Sequence, residues 1–549
     1  MTIQTSTNQS PHIIFNRRTP WGLRPIAAVI FIANCLTLSG SCGTIPSDSK
    51  EVILPVVAPF EMPQLKRPDI PQRQFNIRDF GAEEGGLVKN TGAIRKAIEA
   101  ASKVGGGVVV SPEGKWLTGA INLDNNIDLH LAKGAELLFS QDFGDYLPVV
   151  FSRHEDIECF KHSAFIYADG KANIAITGEG TLNGQGNPWW GFKESKKDVE
   201  KRLYDMGANG VPVAERVFDG SDGNILRPAF FQPMRCRNIL VEGVTFLYGA
   251  FWTITPTYCE NVIVRRVRIV TEGSYGHTPN GDGVDPSSSK NVLIEYCDFD
   301  TGDDCIAIKA GRDNDGLRVG MPTENIVIRH CVGLRGHGGI VIGSETSGNI
   351  RNVYAYDCKF TGTDRIVRIK TARGRGGIVE NMWFRDMHGD KIEMEAIHIN
   401  MLYTGKRFPA QPVTESTPRI RNINFTGIYC TMGKSYAIEM LGLPEMSIEN
   451  VTIDSVDMNA VKGIACTDVK GVKISNAKVI TQELPLIKIT DGENIALESI
   501  LRAQNMAQLL LVSGEKSREI KIRRSGLVKN DKSVSVGTEV PRGAVLIEE

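Results

Sequence analysis

Four short polar clusters recur through the middle of this 549-residue chain, most of them framed by glycine. Asn280-Gly281-Asp282-Gly283-Val284-Asp285 comes first, then Gly302-Asp303-Asp304, then Gly336-His337-Gly338, then Arg368-Ile369-Lys370. Brought to one surface, Asp282, Asp303, Asp304, His337, Arg368 and Lys370 would gather acids, an imidazole and two cations. That mixture suits hydrolysis of an acidic sugar polymer. Splitting a glycosidic bond takes a protonated acid at the leaving oxygen and an ionised carboxylate that activates water or attacks. Crowding Asp282, Asp303 and Asp304 should raise at least one pKa, leaving an acid beside two bases. The segment 365–375 carries five cations in eleven residues, and a fixed guanidinium can grip a uronate carboxylate bidentately.

Residues this far apart need a frame that repeats. Asp304, His337 and Arg368 are spaced by 33 and 31 residues, and a second pattern has the same rhythm. It reads Asn, then alternating apolar positions: NILVEGVTF at 238–246, NVIVRRVRI at 261–269, NVLIEYCDF at 291–299 and NVYAYDCKF at 352–360. A further copy starts at Asn325, and looser ones at Asn173, Asn381, Asn422, Asn450 and Asn494. From Asn238 to Asn381 the offsets are 23, 30, 34, 27 and 29 residues. Period-two alternation makes each copy a strand, and recurrence at twenty to forty residues makes a solenoid. No amphipathic helix separates the copies, so leucine-rich and βαβ repeats are unsuited. The expectation is an all-β parallel β-helix with inward Val, Ile and Cys in columns and Asn laddering at the turns. Residues at one phase of successive coils then share one surface.

At the front, 75–81 reads as a strand and turn. Residues 91–103 read as a helix with Ile94, Ala97, Ile98 and Ala101 on one face, placed to cap the open end of the solenoid. The charged, glycine-rich stretch 185–225 reads as a long loop leaving the coils. Trp189 and Trp190 within it could stack on sugars or simply anchor the loop.

The four clusters, in this order, are similar to the motifs of glycoside hydrolase family 28, the polygalacturonases, from about Phe75 to the last coils. The resemblance implies a right-handed, single-stranded parallel β-helix that cleaves the α-1,4 galacturonosyl bonds of pectin with inversion and needs no cofactor or metal. It implies Asp303 as general acid, Asp282 and Asp304 as the pair that holds and activates water, and His337 as support for the acid. It implies Arg368 and Lys370 as the grip on the galacturonate carboxylate beside the scissile bond, with Asn280 and Tyr403 as further substrate-binding residues. The usual NTD motif reads NGD here, Gly281 replacing the threonine. The NGDG form, with Gly311-Arg312-Asp313 and Gly343-Ser344-Glu345, resembles bacterial members acting from chain ends. Rhamnogalacturonan or xylogalacturonan hydrolysis within the same family is the alternative. Two other readings compete: a calcium-dependent β-helical pectate lyase using the Asp cluster as ligands, and a non-enzymatic adhesin or sugar-binding solenoid. Asp285, Arg312 and Lys309 are left without a role, Lys309 facing solvent by alternation; Arg373 and Arg375 read as solvated charges.

Arg17, Arg18 and Arg24 precede an apolar run at 26–38 that suits a secretory leader and is short for a membrane span. It leads to Leu38-Ser-Gly-Ser-Cys42, which looks like a bacterial lipoprotein signal; plain cleavage near the same place is the alternative. The layout is thus a leader at 1–42, a Pro-, Ser- and Lys-rich tether at 43–70, and a catalytic β-helix at 71–549. The expected location is periplasmic, or anchored to the outer membrane of a Gram-negative cell by lipid on Cys42, otherwise secreted. The chain is expected to act as a monomer on a pectic polysaccharide. Nine of the eleven cysteines lie beyond the leader, without a CxxC pair, so they read as small core residues, not as a zinc or disulfide framework. A net charge of −1 supplies no field for nucleic acid. Glycine at 56 residues exceeds the usual share of about 7% and speaks for turns over a helical bundle.

Overall fold

Short strands of Val and Ile bury little by themselves; stacked coil on coil, each covers the next. The computed structural model describes residues 52–403, 405–501, 507–525 and 531–548. The recurring segments stack there as parallel strands in one large sheet system. Val241, Val264, Ile294, Ile328, Ala355 and Phe384 are direct partners in successive coils and form a buried column. A second column runs through Ile306, Ile340, Val367, Ile397 and Ile438. The fold is the expected parallel β-helix, and all nine cysteines of the described residues are buried in it as free thiols.

The repeated asparagines do what the pattern implied. From Asn173 to Asn450 each side-chain amide donates to the carbonyl oxygen of the asparagine one coil earlier, at 2.9 to 3.4 Å. Each also sits at φ between 55° and 59°, a left-handed conformation that asparagine tolerates better than most residues. The helix Thr91–Lys103 buries Ala93, Ile94, Ala97, Ile98 and Ala101 against the first strands, Gln74–Asn76 and Gly107–Ser111, and so caps the end.

Two segments differ from expectation. The leader and Cys42 lie outside the described residues, but 53–70, expected as part of a tether, runs across the outer face of the sheet. Val56, Leu65 and Ile70 are buried there on Leu240, Ile263, Leu293 and Val327. Arg329 donates to the carbonyls of Leu54 and Pro55, at 2.8 and 3.3 Å, and Arg67 pairs with Glu242. These strands are apolar on both faces, which in a parallel sheet demands a cover; the 53–70 segment is that cover. The compact unit that holds the β-helix therefore begins at Ile53.

The stretch 185–225 is likewise not a plain loop. It holds short helices at Asn187–Trp190 and Phe192–Ser195 and a longer one, Lys197–Ala208. Leu203 of the last packs with Ile157, Cys159, Phe218 and Leu226, on a hairpin of Val150–His154 and Ile157–Lys161. No helix among the described residues is long and apolar enough to cross a membrane.

Candidate active site

The loop bearing Asp282 is held from below. Arg227, fully buried, donates to the Pro279 carbonyl at 2.7 Å and to Asn280 Oδ1 at 2.8 Å, and lies 3.4 Å from Glu200 of the inserted helix. Thr271 Oγ1 donates to the Gly281 carbonyl at 2.6 Å. A Cβ at Gly281 would come within 2.7 Å of Thr271 Oγ1 and the Thr278 carbonyl, so this packing excludes the threonine of the usual motif. Asp303 and Asp304 lie one coil on, just before the strand Ile306–Ile308. The strand Val367–Lys370 brings Arg368 and Lys370, stacked two coils beyond Ile306–Ile308.

These coils do bring the acids together. One oxygen from each of Asp282, Asp303 and Asp304 lies within 4.8 Å of the others. They line a cleft of about 680 Å³ that also takes in Asn280, His337, Arg368, Lys370 and Tyr403. Lys370 Nζ donates to Asp304 Oδ2 at 2.7 Å, and His337 Nδ1 lies 3.1 Å from Asp303 Oδ1. Tyr403 places its ring centroid 6.0 Å from the charged groups of both Arg368 and Lys370. Asn280 lines the cleft too, but its side-chain oxygen is already taken by Arg227.

Crowding acts as expected on one acid and is reversed at another. Burial, with the adjacent Asp303 charge, pushes Asp282 well above the usual carboxylate range. Asp285, buried behind it with both oxygens unpartnered among the described residues, is raised for the same reasons, burial and the charge of Asp282. Asp303 is partly buried, which opposes its ionisation, but its hydrogen bond to His337 and the charges of His337, Lys370 and Lys309 outweigh that and hold it low. His337 rises to about 9, chiefly through that same hydrogen bond. Within this pair the proton is thus favoured on His337 over Asp303.

A likeness to known proteins bears on the same residues. Residues 219–476 match the model for glycosyl hydrolases family 28. A "Probable polygalacturonase" of Vitis vinifera is 30% identical over 419 residues, 72% of this chain and 77% of that protein. The chain belongs to glycosyl hydrolase family 28. A crystal structure of a hyperthermoactive exopolygalacturonase from Thermotoga maritima is 38% identical and superposes with a TM-score of 0.67, covering 79% of this chain and 94% of that one. An exo-poly-alpha-D-galacturonosidase of Dickeya chrysanthemi is 26% identical over 439 residues, 74% of this chain and 71% of that protein.

Several residues of this family-28 glycoside hydrolase have surroundings that their sequence did not indicate. Lys309, expected to face solvent, is buried between Asp282 and Glu345, 3.4 Å from each, and over the Trp252 ring at 4.3 Å. Alternation predicted its side of the strand correctly; that side is the cleft, roofed by Trp252. Glu345 is held down to about 2: burial opposes its ionisation, and Lys309, Arg375 and Arg312 overcome burial. Arg375 pairs with Asp313, and Arg373 holds Glu445 at 2.5 and 2.7 Å, so neither is the solvated charge expected. Trp189 is buried among Phe143, Tyr146 and Phe192 as an anchor, whereas Trp190 lines the cleft.

The hydrolase should show an alkaline limb in kcat/KM near pH 9, where His337 loses its proton in the free enzyme. His337→Gln should remove that limb along with most of the rate. A limb unmoved by the substitution would assign it elsewhere.

Proposed function

We propose that this family-28 hydrolase is an exo-acting polygalacturonase, exported from the cell, that shortens pectin by hydrolysing α-1,4 galacturonosyl bonds. The observation that carries it is the cleft itself. Three carboxylates converge there beside Arg368, which has no carboxylate within ion-pair distance among the described residues. A guanidinium left unpaired beside an acid cluster is suited to an anionic sugar.

Differences in exposure support a division of roles among the acids. The side chain of Asp303 is 18% exposed, against 3% for Asp282 and 1% for Asp304, so Asp303 alone meets the glycosidic oxygen. His337 passes its proton to Asp303, and Asp303 passes it to that oxygen as the C–O bond breaks. Asp282 and Asp304 each keep one buried oxygen without a partner among the described residues, a place for a water. That water attacks the anomeric carbon from the opposite face and loses its proton to Asp304, while Asp282, whose carboxyl burial pushes up, orients it. Attack by a water held beside this pair yields the inverted anomer, which NMR of the nascent product would reveal.

Chain-end action is supported by the inserted stretch, which contributes Trp190, Lys193, Glu194 and Tyr204 to the cleft, and by the exo-acting relatives. Product analysis on polygalacturonic acid tests it: mono- or digalacturonate should appear from the first minutes, with long intermediates absent, and rhamnogalacturonan should be a poor substrate. The products should be saturated and the rate unchanged by a chelator, because Lys309 and Lys370 already neutralise the Asp cluster. Unsaturated, calcium-dependent products would establish a lyase instead.

Export by a leader at 1–42, with lipid on Cys42, completes this reading. A Cys42→Ala variant that leaves the membrane fraction would support the anchor, and one that stays would remove it.

A further inference from the structure

The cations of the cleft are unequally engaged. Lys309 is paired with Asp282 and Glu345, Lys370 with Asp304, Arg312 with Glu155, and Arg375 with Asp313. That leaves two of the cleft's Lys and Arg residues without a carboxylate in ion-pair distance among the described residues: Arg368 and Lys193. Glu194, beside Lys193, is itself paired with Lys197. Lys193 contributes a field at Glu155, but Arg312 is the cation in contact with that carboxylate.

The two free cations reach the cleft from different elements, Arg368 from a strand of the coils and Lys193 from the inserted stretch. Ile254, Val284, Ile306, Ile340 and Val367 are partners in successive coils, so Arg368 lies past the acids on the later-coil side. Lys193 follows Trp190, whose indole N–H donates to the Gly249 carbonyl at 2.9 Å, in the coil before that of Asp282. A Cβ on Gly276 would fall 2.5 Å from the Trp190 ring, so only glycine lets the ring pack that closely. The indole is therefore fixed in place while lining the cleft, the arrangement that sugar stacking requires.

We infer that Lys193 is the second carboxylate grip of this enzyme: it takes the uronate of the terminal sugar, across the scissile bond from Arg368, with Trp190 as the wall against which that sugar lies. The inference rests on the chain-end reading above and deepens it, since an enzyme that removes one terminal unit can select for an unesterified acid there.

The test uses purified enzyme and three trisaccharides: trigalacturonate, and trigalacturonates with the carboxyl group reduced to an alcohol at one terminus or the other. Wild type should lose about 10- to 100-fold in kcat/KM, mostly through KM, on the substrate that sets the alcohol against Lys193. Lys193→Ala should lose the same factor on trigalacturonate and no longer discriminate between the two. Lys193→Glu should be worse, and Lys193→Arg should restore the preference. An undiminished preference in Lys193→Ala, or no preference in wild type, would overturn the inference. Internal cleavage of long oligogalacturonates is a separate result and would overturn the chain-end reading alone. Lys193 lies in the short helix Phe192–Ser195 at partial exposure, so its replacement leaves the core intact.

Discussion

Asp303→Asn should lower kcat by about 10²- to 10⁴-fold, the usual contribution of a positioned general acid, with KM little changed. The amide keeps the acceptor for the Asp304 N–H, which lies 3.0 Å from Asp303 Oδ1, so the loop should hold its shape. What disappears is the charge facing His337. The His337 pKa should then fall from about 9 toward its ordinary 6.5, readable by NMR titration of the ring. A binding solenoid without catalysis would predict no such loss. The pair also carries a stability signature. His337 is raised on folding, so its contribution is complete below about 6.5 and fades as pH rises through about 9. Asp303 is lowered, so its contribution is present above its ordinary 3.8 and is lost as pH falls below that value. The loss of stability that His337 contributes between pH 6.5 and 9 should shrink in the variant.

Lys370→Met should cost both stability and rate. Lys370 is buried, and its ammonium is the one ion-pair partner of Asp304 among the described residues. Breaking a buried pair by removing one member typically costs about 3–5 kcal/mol, because the other charge is left uncompensated. Asp304 would also lose the ammonium that holds its carboxylate in place at 2.7 Å, so kcat should fall with stability. Arg368→Ala is the cleaner probe of substrate capture. Arg368 has no carboxylate to abandon, so KM should rise by about 10- to 100-fold with thermal stability nearly unchanged. Equal behaviour of the two variants would contradict the division of labour between a grip and a charge support. The motif Arg368-Ile369-Lys370 reads in sequence as two equal cations; in the fold both line the cleft, but Lys370 alone is bound to a carboxylate among the described residues. Arg368 faces the cleft from the strand, while Lys370 reaches inward to an acid of an earlier coil.

Much of the frame was legible because a solenoid writes its geometry as a period. Asn at each turn, alternating Val and Ile, and polar clusters one coil apart are local signals. Stacking adds no rearrangement to them, so the acids meet where the spacing places them. The capping helix was legible for the same reason: its apolar stripe is a property of thirteen consecutive residues. The 53–70 segment was not, because nothing local distinguishes a proline-rich tether from a proline-rich cover. Its role follows from outward Leu240, Ile263, Leu293 and Val327, which would otherwise face water.

Side chains in the cleft divide along the same line. The sequence alone determined which residues gather at one cleft and that successive coils would present them together, since one period governs both strand and cluster. Only the tertiary structure decided what each charge is worth. Lys309 became a buried counter-ion because Trp252 covers it, His337 was raised because Asp303 lies against it, and the inserted helices added Trp190 and Lys193 to the cleft. Protonation and pairing depend on distances through space and on what excludes water, and neither is a function of position along the chain.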